Sequence, residues 1–65
     1  MRREEKEMLI GFARAAELTR RVLISPPSHT TAKEYLEDVA RLLAHSDDYL
    51  SRGLVLGCLS ALGRE

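Results

Sequence analysis

The sequence predicts an all-α fold: a helical hairpin with a longer second arm, dimerising into a four-helix bundle. Three observations predict it. Apolar residues recur at three- and four-residue spacing on both sides of one break. That break, Ser25-Pro26-Pro27-Ser28-His29-Thr30, is the only clear one in the chain. The run Gly53-Leu54-Val55-Leu56-Gly57-Cys58-Leu59-Ser60-Ala61-Leu62 is apolar nearly all the way round a helix, so it must be covered on almost every side.

The first helix is expected over residues 4–24. Leu9, Phe12, Ala16, Thr19 and Leu23 form one helical row, and Met8, Phe12, Ala15, Thr19 and Val22 another. Together they make one broad apolar stripe. Glu4, Glu5 and Glu7 sit in the first turns and Arg20 and Arg21 in the last, the order the helix dipole favours. Glu17 and Arg21 are placed as an i,i+4 pair. Gly11 is an internal defect of roughly 1 kcal/mol against Ala, beside Phe12, and makes room for a neighbour.

Pro26 disfavours helix at Ser25, and two successive prolines cannot continue the hydrogen-bond ladder, so residues 25–30 form the turn. Thr31 and Glu34 have capping-box spacing, with Thr30 as an alternative cap. Tyr35, Leu36, Val39, Ala40, Leu42 and Leu43 then face one way, while Lys33, Glu34, Glu37, Asp38 and Arg41 face the other.

Ser46-Asp47-Asp48 has the form of a fresh N-cap, which starts a third helix. The apolar phase nevertheless runs through it along Leu36, Val39, Leu43, Ser46, Leu50, Gly53 and Gly57, and no Gly or Pro marks a loop. The reading favoured here is one long helix over residues 31–62, kinked near residue 46. An unbroken helix puts Tyr35 and Tyr49, two heptads apart, on the same side. Gly63 suits the end of it. The whole chain, residues 1–65, makes one domain.

A 65-residue chain buries only about 60% of its unfolded surface and usually needs a disulfide, a metal or a second subunit. Cys58 is the only cysteine, which excludes an internal disulfide and suits a reducing cytoplasm. Ten Lys and Arg balance ten Asp and Glu, so no long-range field draws nucleic acid or anionic lipid. The first residues are mixed in charge, unlike a signal peptide, and the C-terminal apolar run is about half the ~20 residues needed to span a bilayer.

The chemistry on offer is thin. Cys58 with His29 or His45 as base is a nucleophile pair in residue type only, because Cys58 lies in the most apolar stretch, where a thiol is inert. Asp47 and Asp48 beside His45 diverge by about 100° on a helix and do not converge on an ion. Basic residues of the first helix are interleaved with Glu4, Glu5, Glu7 and Glu17, and the chain has no Asn or Gln to read bases. Pro26-Pro27 is too short for a polyproline ligand. No phosphate loop, carboxylate pair or triad is visible. The expectation is no enzyme, no catalytic residue, no cofactor and no metal.

What remains is protein contact. Gly53, Gly57 and Ala61 form a small-residue ridge at which another helix can approach closely, within the chain or from a second copy. Phe12, Leu50, Gly53, Leu54, Leu56, Gly57, Leu59 and Ala61 are the expected interface. Tyr35, Arg41, Tyr49 and Arg52 are an outward surface for a partner, since Tyr and Arg are favoured at hot spots. The expected function is a cytoplasmic, homodimeric regulator or inhibitor that docks a helix face on a larger protein, at a size common among small bacterial and phage regulators. The hairpin layout and the small-apolar last helix also give the chain a general shape similar to the short helix-turn-helix co-chaperones of type III secretion needle subunits. That resemblance implies a heterologous partner, without which the chain is poorly soluble or loosely folded. A helical dimer that binds nucleic acid through the outer face of the first helix is the third expectation.

Overall fold

The computed structural model describes residues 2–63 and contains three α-helices: α1 (Arg3–Ile24), α2 (Ala32–Leu43) and α3 (Tyr49–Gly63). The continuous second helix expected over residues 31–62 is therefore corrected. Instead of kinking near residue 46, the chain leaves helix after Leu43, turns through Ala44–Asp48 and starts again. Local hydrogen bonds make the break. The Ser46 amide donates to the Leu43 carbonyl at 3.0 Å, closing the end of α2. The Asp48 carboxylate accepts from the Ser51 amide at 3.0 Å and from the Ser51 hydroxyl at 2.9 Å, which caps α3. The break lets α3 double back along α1, which a single rod cannot do. Tyr35 and Tyr49 consequently lie on different helices.

Four-residue spacing of small residues explains how α3 meets α1. A Cβ built on Gly11 runs into the Leu50 carbonyl oxygen and stands 2.9 Å from the Leu54 nitrogen. One built on Gly53 runs into the Met8 carbonyl, and one on Gly57 into the Ala15 methyl. The register advances together, Met8 and Gly11 with Gly53, then Ala15 with Gly57, so α1 and α3 run parallel. Gly11-x-x-x-Ala15 on one helix thus faces Gly53-x-x-x-Gly57 on the other. Backbones approach closely where neither carries a large side chain. Glycine Cα–H groups aimed at carbonyls are a recurring geometry of such contacts.

The other side of α3 carries α2, whose Glu37, Ala40 and Arg41, with the cap residue Ala44, line one depression with Val55, Leu59 and Leu62 of α3. The core is small: Ala15, Val22, Leu36, Ala40 and Cys58 are buried, with Leu18, Tyr35, Val39, Leu54, Val55, Ala61 and Leu62 packed around them. Thr31 caps α2, its hydroxyl accepting from the Glu34 amide at 3.1 Å. Glu34 reaches back to the Thr30 hydroxyl at 3.4 Å. His29 holds φ at 66°, a left-handed conformation that His adopts more readily than most residues and that turns the chain between α1 and α2.

Candidate interaction surface

The two apolar rows of α1 have different fates. Met8, Ala15 and Val22 of the second row turn toward the core, joined by Gly11 and Leu18 in place of Phe12 and Thr19, and are buried or half-buried. The row Leu9, Phe12, Ala16, Thr19 and Leu23 lies along the flank, with Leu9 56%, Phe12 40% and Leu23 64% exposed. Gly11 decides between them: only a row containing it lets the α3 backbone come close.

That flank borders a groove between α1 and α3, about 130 Å³ in volume, lined by Phe12, Ala16, Thr19, Gly57, Ser60 and Ala61. The Thr19 hydroxyl donates to the Ala15 carbonyl at 2.8 Å, which satisfies it within its own helix and leaves the groove mainly apolar. Of the residues expected at an interface, Phe12, Gly57 and Ala61 come together here. Gly53 is buried against Met8, and Gly57 against Ala15, so the helix that meets the ridge is α1 of the same chain. Leu50 and Leu54 are half-buried in the same seam.

Leu56 and Leu59, 49% and 52% exposed, point away from it. Leu56 lines an open depression of about 370 Å³ with Met8, Leu43, Ala44, Ser46, Asp47, Arg52 and Val55. Leu59 lines a shallower one between α2 and α3 with Glu37, Ala40, Arg41, Ala44, Val55 and Leu62. Arg41 pairs with Asp38 at 3.5 Å. The Arg52 guanidinium lies 5.1 Å from the Tyr49 ring centre, a cation–π stack, while Asp48 turns to Ser51. Tyr35 packs against the core. The four residues expected to meet a partner are thus divided between α2, with Tyr35 and Arg41, and α3, with Tyr49 and Arg52.

Ala16, Thr19 and Ser60, which line the groove, lie outside the expected interface. The signal for Ala16 and Thr19 was in the sequence in the row Leu9, Phe12, Ala16, Thr19 and Leu23, which merging the two rows into a single apolar stripe absorbed.

The electrostatics of the chain are local. Hydrogen bonds from the Ser51 amide and hydroxyl hold the Asp48 carboxyl below the usual aspartate range. Burial pushes the Cys58 thiol up, away from the thiolate that nucleophilic chemistry needs. Among the described residues, no group of three or more His, Cys, Asp and Glu is placed to hold a metal ion, and no helix is long and apolar enough to cross a membrane. No protein-family model, curated protein or solved structure matches the chain.

Proposed function

We propose that this chain is a non-enzymatic protein–protein interaction module, a cytoplasmic homodimer that regulates or inhibits a larger protein by docking a helix face. The observation that carries the reading is the exposed apolar row Leu9, Phe12 and Leu23 on α1, beside a groove of mostly small residues, with five buried hydrophobic side chains making the core among the described residues. Monomeric proteins scatter their exposed apolar residues; a row at helical spacing marks a contact surface. With self-association on the α1 side, the groove between α2 and α3, with Arg41 at its edge and Leu59 along it, is left for the regulated partner.

The test is mass in solution by light scattering over a range of concentrations, with circular dichroism on the same samples. A helical dimer supports the reading. A well-folded monomer at every concentration sinks the homodimer.

A further inference from the structure

We draw no further inference here: the strongest candidate, the apolar groove between α1 and α3 beside the exposed row Leu9, Phe12 and Leu23, is an unpartnered face, and nothing in the structure shows what covers it.

Discussion

A methyl group at Gly53 has nowhere to go, because the Met8 carbonyl already occupies its position, and the same holds at Gly11 for the Leu50 carbonyl. In an exposed helix, Gly→Ala stabilises by about 1 kcal/mol. Here the clash is with backbone, which cannot swing aside, and overpacking costs about 1–3 kcal/mol. Gly11→Ala and Gly53→Ala are each expected to lose about 2 kcal/mol in urea denaturation, despite the better helix former. Gly63→Ala, with open space around it, is expected to be neutral or slightly stabilising. Equal behaviour of all three would remove the close α1–α3 approach. Asp48 supplies a second test. Its carboxyl titrates lower in the folded chain than in the unfolded one, because Ser51 donates to it twice. The stability it contributes is present above the ordinary aspartate pKa and lost as pH falls through the lowered one. Asp48→Ala is expected to melt earlier at neutral pH and to lose less than the parent on going to acid. Parallel pH profiles of Tm would count against the cap.

At the scale of elements, the all-helical character was readable from apolar spacing, and so was the turn at Pro26-Pro27. Thr31 was also readable as the cap of α2, and Thr31→Ala is expected to cost about 1 kcal/mol, seen as a lower urea midpoint with unchanged slope. The break at Ala44–Asp48 was written in Ser46-Asp47-Asp48 but overruled by the apolar phase. Phase continues through a short loop when the helices on both sides bury residues against the same core, as Leu36, Ala40 and Cys58 do. Caps of about 1 kcal/mol do not alone decide such a choice. The fit of Gly53 and Gly57 onto α1 adds to them, and it depends on residues some forty positions away. For the same reason the two rows of α1 could not be sorted by period. Gly11 looked like a defect, but it is the position that selects which row faces inward. The groove is a product of that selection, so Ala16, Thr19 and Ser60 became visible only once α3 was placed.

At the scale of the whole molecule, the described residues have principal extents of 38 × 21 × 18 Å, a short thick rod. Its core is thin for a 65-residue chain, and Ile24 and Leu42, 79% and 74% exposed, show how much apolar surface is still in water. A dimer that is more stable than its separated chains responds to mass action. The thermal midpoint is accordingly expected to rise with protein concentration, and Phe12→Ala to remove most of that dependence. A midpoint independent of concentration over two decades would mean that the fold stands without a second subunit.

The parallel seam between α1 and α3 also has a kinetic consequence. Gly11 and Gly53 are 42 positions apart in the sequence and Met8 and Gly53 45, so the close contact between α1 and α3 closes a long loop. Most small helical proteins fold quickly because their contacts are local. In this chain α2 and its caps form from neighbours, whereas α1 must wait for α3, some forty positions away, to return to it. Until that seam closes, the glycine face of α1 stays uncovered.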